Sequence, residues 1–176
     1  MFYLKSFKKK KINYLFSYKF FKRLCDFTFG SLLIVLFFPL FLVIGFLIKS
    51  SSRGPIFFIQ RRIGKNKSEF SCYKFRTMHP EADFMLQEIL QTNLDLKKEF
   101  ESNQKIRNDP RITFIGKYLR FTSLDEIPQI LNIIKGEMSF IGPRPIIKEE
   151  IIRYGKNYEK AFSVLPGMSG LWQVSG

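Results

Sequence analysis

Histidine and cysteine are nearly absent from this chain of 176 residues, which has one histidine, His79, and two cysteines, Cys25 and Cys72. The cysteines lie far apart and form no C-x-x-C pair, so neither a disulfide framework nor a zinc site is indicated. Both read as reduced, small apolar residues, in keeping with a cytoplasmic catalytic portion. His79 precedes Pro80 at an expected loop start. No second histidine or cysteine is available to complete a common metal set there. The chain also lacks internal repeats and both glycine-rich phosphate loops, G-x-G-x-x-G and G-x-x-x-x-G-K-[ST].

Negative charge is scarce too. Lys and Arg number 29 against 15 acidic residues, a formal charge of +14. Such an excess points to nucleic acid, an acidic membrane leaflet or phosphorylated substrates. The excess is local. Residues 1–23 carry Lys5, Lys8, Lys9, Lys10, Lys11, Lys19, Lys22 and Arg23 with no acid. Residues 49–76 carry Lys49, Arg53, Arg61, Arg62, Lys65, Lys67, Lys74 and Arg76 against Glu69 alone, and the remainder is close to neutral.

Between the two basic stretches, residues 27–48 contain no ionisable group. A run of about 17–25 apolar residues suffices to cross a bilayer as a helix. A signal peptide would be shorter and would end in a small-residue cleavage site, which Lys49-Ser50-Ser51-Ser52-Arg53 does not supply. A retained membrane anchor is expected over residues 24–50, after a basic segment at 1–23. Basic flanks prefer the cytoplasmic side, and here both flanks are basic. Pro39, near the middle of the run, kinks or breaks a helix. A re-entrant helix broken at Pro39 satisfies both facts, and a kinked spanning helix is the alternative. Charge hugging an apolar run favours anionic membrane lipid over nucleic acid as partner. A nucleic-acid binder would instead show strongly salt-dependent association.

Residues 51–176 read as a small α/β domain of irregular order. Gly54-Pro55 marks a turn before a short strand at 56–59, residues 64–68 form a basic turn, and 70–78 have strand character. There Lys74 and Arg76, two apart, share a face if extended. Residues 81–104 show helical spacing with an interruption near Thr92-Asn93. Residues 123–134 read as one helix that Gly136 stops, residues 146–158 as another, and Pro166-Gly167 and Ser169-Gly170 as turns.

Two groups could carry chemistry. Asp125-Glu126 opens the expected helix, where Ser123-Leu124-Asp125-Glu126 fits a capping box. Pro128 disturbs the ladder that such a cap would start, so the aspartate could be presented outward instead. The second group is Lys74 with Arg76, Arg111, Arg120 and Arg144, the last held between two prolines. Arginine forks suit phosphate oxygens, although any one of them alone is ordinarily a solvated charge. A carboxylate beside them could hold a divalent cation or attack phosphorus directly. Phosphate chemistry beside a membrane is as far as the residue types lead.

Several strings then resemble one family. They are Gly54-Pro55-Ile56-Phe57-Phe58-Ile59-Gln60 with Arg62 and Gly64, Lys74-Phe75-Arg76-Thr77-Met78, and Asp109-Pro110-Arg111-Ile112-Thr113. Gly116 with Leu119-Arg120 follows, then Ser123-Leu124-Asp125-Glu126-Ile127-Pro128-Gln129, Asn132 and Gly136-Glu137-Met138-Ser139. Gly142-Pro143-Arg144-Pro145, Pro166-Gly167 and Gly170-Leu171-Trp172-Gln173-Val174-Ser175-Gly176 complete the order. Together they resemble the bacterial sugar transferases, polyprenyl-phosphate phosphoglycosyl transferases of the branch that starts O-antigen, exopolysaccharide or capsule synthesis on undecaprenyl phosphate.

The resemblance implies transfer of a hexose-1-phosphate from a UDP-sugar to polyprenyl phosphate, with release of UMP. It implies a ping-pong course through a phosphosugar on Asp125, with Glu126 as dyad partner and magnesium held near Asp125. Lys74, Arg76, Arg111, Arg120, Gln129 and Arg144 are the expected substrate and phosphate ligands, Arg120 for the lipid phosphate. The family's re-entrant helix broken at proline matches Pro39. The location implied is the bacterial inner membrane, with the catalytic domain on the cytoplasmic face, and a homodimer is allowed for. Family members continue past the block ending at Gly176, so a truncated, inactive membrane-tethered binding protein is the alternative expectation.

Overall fold

A computed structural model describes residues 2–103, 105–155 and 158–171, with side chains from residue 18 on, those of residues 103, 153 and 160 apart. Helix α1 runs over Phe2–Ser51. Strands β1 (Phe57–Ile63) and β2 (Glu69–Phe75) pair as a two-stranded sheet. The turn between them is made tight by left-handed Asn66 and Lys67. Helices α2 (Ala82–Thr92) and α3 (Leu94–Asn103) pack together, jointed at Asn93, whose Oδ1 accepts from the amides of Asp95 and Leu96. Then come α4 (Phe114–Phe121), a 3-10 turn at Leu124–Glu126, α5 (Gln129–Lys135) and β3 (Ser139–Ile141). The last elements are a 3-10 turn at Lys148–Glu150, α6 (Ile151–Tyr154), α7 (Tyr158–Ala161) and β4 (Gly167–Ser169). Strands β3 and β4 are parallel, with Ser139 opposite Gly167 and Ile141 opposite Ser169. The motif stretch at 172–176 lies outside the described residues.

The mixed helix and strand content agrees with the expected α/β class. Within α1, Tyr18–Ser51 is apolar enough and, at 34 residues, long enough to cross a membrane. At 1.5 Å per residue it measures about 50 Å, against about 30 Å of hydrocarbon. Val35 and Phe46 are more than 70% exposed, which marks a surface built for a non-aqueous neighbour. Helical backbone continues through Pro39, where the sequence suggested a break. Proline removes one hydrogen bond of the ladder, and the flanking turns keep theirs.

The chain forms two compact units. One comprises Met1–Phe37, Gln60–Cys72 and Gln129–Gly176. Its apolar centres are Phe70, Cys72, Ile133 and Met138, and separately Ile63, Ile146 and Phe162. Polar contacts fasten its part of α1. Asp26, only 6% exposed, accepts from the Ser139 hydroxyl at 2.8 Å and from Lys22 at 3.3 Å. Arg23 donates to the carbonyls of Ile133 and Ile134 at the end of α5, each at 2.5 Å. A positive charge there meets carbonyls that the helix leaves unpaired.

The other unit comprises Phe38–Ile59 and Tyr73–Pro128. Its core joins Ile44 and Ile48 of α1 to Phe75 and Leu119, with Phe41, Ile56, Ile115 and Leu124 around them. At the α1 exit Gly54 takes φ +129°, and a Cβ there would collide with the Arg76 guanidinium. That guanidinium donates to the carbonyls of Ser52 (2.8 Å) and Arg53 (2.9 Å) and to the Ser52 hydroxyl (3.0 Å).

Candidate active site

The second unit assembles a charged cluster upward from Thr77. Beyond β2 the chain meets Ile112 in an antiparallel bridge at Met78. Thr113 caps α4: its hydroxyl accepts from the Gly116 amide at 3.0 Å and donates to the Thr77 carbonyl at 3.3 Å. A Cβ on Gly116 would overlap that carbonyl, so glycine is what lets the helix sit so close. Seated there, α4 brings Arg120 back to Thr77, Nε to Oγ1 at 2.9 Å. Beneath it Arg111 grips Asp109 through two forks, Nε to Oδ1 at 2.8 Å and Nη2 to Oδ2 at 2.5 Å, both side chains less than a tenth exposed.

After α4 the chain reverses at Ser123, which adopts φ +57°, uncommon for a residue with a Cβ. The 3-10 turn that follows holds Asp125 and Glu126. Glu126 pairs with Lys74 at 2.5 Å, and both side chains are partly exposed. The capping box suggested by the sequence does not form. A left-handed Ser123 makes no side-chain cap bond, Pro128 offers no N–H to a ladder, and α5 begins only at Gln129. Residues 123–134 are therefore a turn followed by a short helix, in place of the single helix expected. Asp125 is left half-buried, its carboxylate bonded to its own backbone amide and not to the amides of a following helix.

Electrostatics set this aspartate apart. Burial pushes its pKa above the usual carboxylate value and Glu126 adds to the rise, while Lys74, Arg120 and its own backbone amide pull the other way. Arg120 is lowered by burial, against the attraction of Asp125 and Asp109. Asp109 falls below the ordinary range: its burial opposes charge, but the Arg111 hydrogen bonds and nearby arginines together outweigh it. A half-open carboxylate flanked by a lysine and an arginine is arranged to meet a phosphate group whose charge those cations offset.

Of the residues singled out in the sequence, Lys74, Arg111, Arg120, Asp125 and Glu126 come together in this unit. Arg76 lies in the same unit but is 6% exposed and engaged at the end of α1. Lys74 and Arg76, expected on one face, thus have different partners. Arg111 is 8% exposed and held by Asp109. Gln129, buried, and Arg144, exposed, belong to the other unit. Sequence reasoning missed Thr77, Asp109 as the mate of Arg111, and Asp26. Asp26 carried a signal, being the lone acid of the first 68 residues. Among the described residues, no three His, Cys, Asp or Glu side chains converge as a metal set.

The family model described as bacterial sugar transferase matches residues 17–176. The chain belongs to the bacterial sugar transferases. An uncharacterized sugar transferase of Haemophilus influenzae is 46% identical over 155 residues, covering 88% of this chain and 33% of the relative. The exopolysaccharide production protein ExoY of Rhizobium meliloti is also 46% identical over 155 residues, 88% of this chain and 69% of the relative. The undecaprenyl-phosphate galactose phosphotransferase of Salmonella typhimurium is 39% identical over 160 residues, 91% of this chain and 33% of the relative. This sugar transferase chain thus spans about a third of the length of the first and third of these.

Proposed function

We propose that this sugar transferase moves a hexose-1-phosphate from a UDP-sugar to undecaprenyl, or another polyprenyl, phosphate as the opening step of exopolysaccharide, O-antigen or capsule synthesis. The half-buried Asp125, uncapped and flanked by Lys74 and Arg120, is the observation that carries the reading. A carboxylate oxygen of Asp125 attacks the sugar-linked phosphorus. The bond to the bridging oxygen breaks, UMP leaves with that oxygen, and an acyl-phosphate to the sugar remains on the enzyme. An oxygen of polyprenyl phosphate then attacks the same phosphorus, forming the lipid diphosphate and returning the carboxylate. Lys74, paired with Glu126, holds that carboxylate in place beside the nucleophile. Arg120 meets the lipid phosphate, and Gln129 and Arg144 serve the donor. Arg76 and Arg111, each engaged by its own neighbours, support the cluster from behind.

Magnesium fits as a partner shared with substrate. With Glu126 tied to Lys74, Asp125 is the carboxylate that would hold the ion together with substrate phosphate oxygens, and the ion would supply charge to offset the phosphate.

The chain is placed at the inner membrane, catalytic residues on the cytoplasmic face, with anionic lipid at its basic flanks. The outer side of α4 adds to this reading, since Phe114, Tyr118 and Phe121 are all more than half exposed. The inner side of α4, Ile115 and Leu119, packs on Ile44 and Ile48 of the apolar helix. Basic charge on both sides of residues 27–48 supports a re-entrant course, which accessibility of tags at the two flanks would test.

The deciding experiment supplies the purified chain in nanodiscs with a panel of UDP-sugars and polyprenyl phosphate, and follows UMP. Release that depends on magnesium and vanishes in Asp125→Asn is expected. Undiminished turnover by that variant would falsify the nucleophile.

A further inference from the structure

Resting on the reading of Arg144 as a donor-phosphate ligand, we propose that Arg62 is the positioning residue that fixes the Pro143-Arg144-Pro145 loop so that Arg144 can grip a diphosphate. All of the contacts concerned lie within one unit. The near end of the loop is fused to the start of β4. Gly142 N donates to Ser169 O at 3.0 Å, Gly167 N to Pro143 O at 2.8 Å, and a Cβ on Gly142 would strike the backbone of residues 165–167. The far end is pinned by Ile63 N donating to Ile146 O at 2.8 Å. Between these two backbone fastenings a side chain adds a further hold. Arg62 Nη1 donates to the Pro145 carbonyl at 3.3 Å, while Nη2 donates to Gln60 Oε1 at 2.7 Å.

The same guanidinium stands 3.9 Å from Glu150 Oε2, and that carboxylate accepts from the Ile147 amide at 3.2 Å. One planar fork thus spans β1 and residues 145–150, with its side chain only 13% exposed. Its neighbour Arg61 is exposed, so adjacent arginines that look alike in sequence have opposite surroundings. The two prolines fix φ at their own positions but leave the direction of the peptide carbonyls open. A donor on the Pro145 carbonyl supplies that missing constraint. Arg62 also forms part of the wall of a cleft of about 370 Å³ between Gln60 and Arg61 on one side and Ile147 and Lys148 on the other. The fork therefore braces both walls. Lysine, a point charge with no planar fork, lacks the two fixed, separated donors that reach Gln60 and Pro145 at once.

The test compares wild type, Arg62→Lys and Arg62→Gln, each in nanodiscs with matched thermal melts. Backbone hydrogen exchange over residues 142–150 needs no turnover and reads the clamp directly. Exchange roughly tenfold faster in both variants is expected from the lost fastening, with the rest of the unit unchanged. The KM for UDP-sugar should rise about tenfold while kcat stays within about twofold, because misorientation weakens ground-state and transition-state grip alike. Unchanged exchange in Arg62→Lys overturns the proposal. Faster exchange with an unchanged KM overturns the link to Arg144. A wild-type chain that releases no UMP sinks the transferase reading instead, and the exchange result still decides whether Arg62 clamps the loop.

Discussion

Two aspartates, one in each unit, have opposite surroundings. Asp26 is buried and saturated: a serine hydroxyl and a lysine satisfy it, and the Phe140 amide approaches at 3.4 Å. Asp125 sits half-exposed on a turn, its charge disfavoured by burial and only partly repaid by Lys74, Arg120 and its own backbone amide. The first arrangement locks a helix in place, and the second leaves a carboxylate open, as the proposed chemistry requires. A carboxylate that the fold has fully satisfied has little left to offer a substrate. The comparison therefore separates structural from chemical acids by how complete their hydrogen bonding is.

Substitutions sharpen or break that contrast. The largest effect is expected for Asp125→Asn, with UMP release falling by about three orders of magnitude. Its melting temperature should hold or rise slightly, since the folded state disfavours the charge being removed. A large drop in stability would make Asp125 a structural acid after all.

Next comes Asp109→Asn, which leaves the buried Arg111 without its partner and should cost about 3 kcal/mol of stability. The pH dependence has a definite sign. The pKa of Asp109 is lower folded than unfolded, so its contribution is complete well above the unfolded value of about 4 and disappears as pH falls through the folded one. Thermal melts of wild type should therefore decline below about pH 4 more steeply than those of the variant.

Asp26→Ala follows, at about 2 kcal/mol, because the Ser139 hydroxyl and Lys22 lose their acceptor. Turnover per folded molecule should survive, and its loss would erase the distinction drawn above. Glu159→Gln is the smallest. Its pair with Lys67 is more than half exposed on both sides, and urea titration should show no resolvable change.

What the sequence displayed was local. The apolar run at 27–48, the joint at Asn93 and the stop at Gly136, which takes φ +88°, are written in neighbouring residues. Asp125 and Lys74 stood out by residue type and by motif. Other features depend on contacts between distant positions, which pattern reading does not see. Ser139 lies 113 residues from Asp26, and Ser52 lies 24 from Arg76. Ser123 misled for a different reason: serine before an acidic pair is the ordinary start of a helix, whereas here it closes the preceding one, left-handed with its amide bonded to the Arg120 carbonyl. The stretch 146–158, expected as one helix, is split into a 3-10 turn and a short α6 that Gly155, at φ +47°, closes.

One further consequence follows from the bridge between Met78 and Ile112 and the His79 amide bound to the Arg111 carbonyl. These contacts close a stem, and α2 and α3 form a lobe hung from it. Neither α2 nor the side chains described for α3 include a fully buried residue. The lobe is thus a cassette: natural selection or an engineer can lengthen, trim or swap α2 and α3, while the seat of α4 on Thr77 keeps its shape.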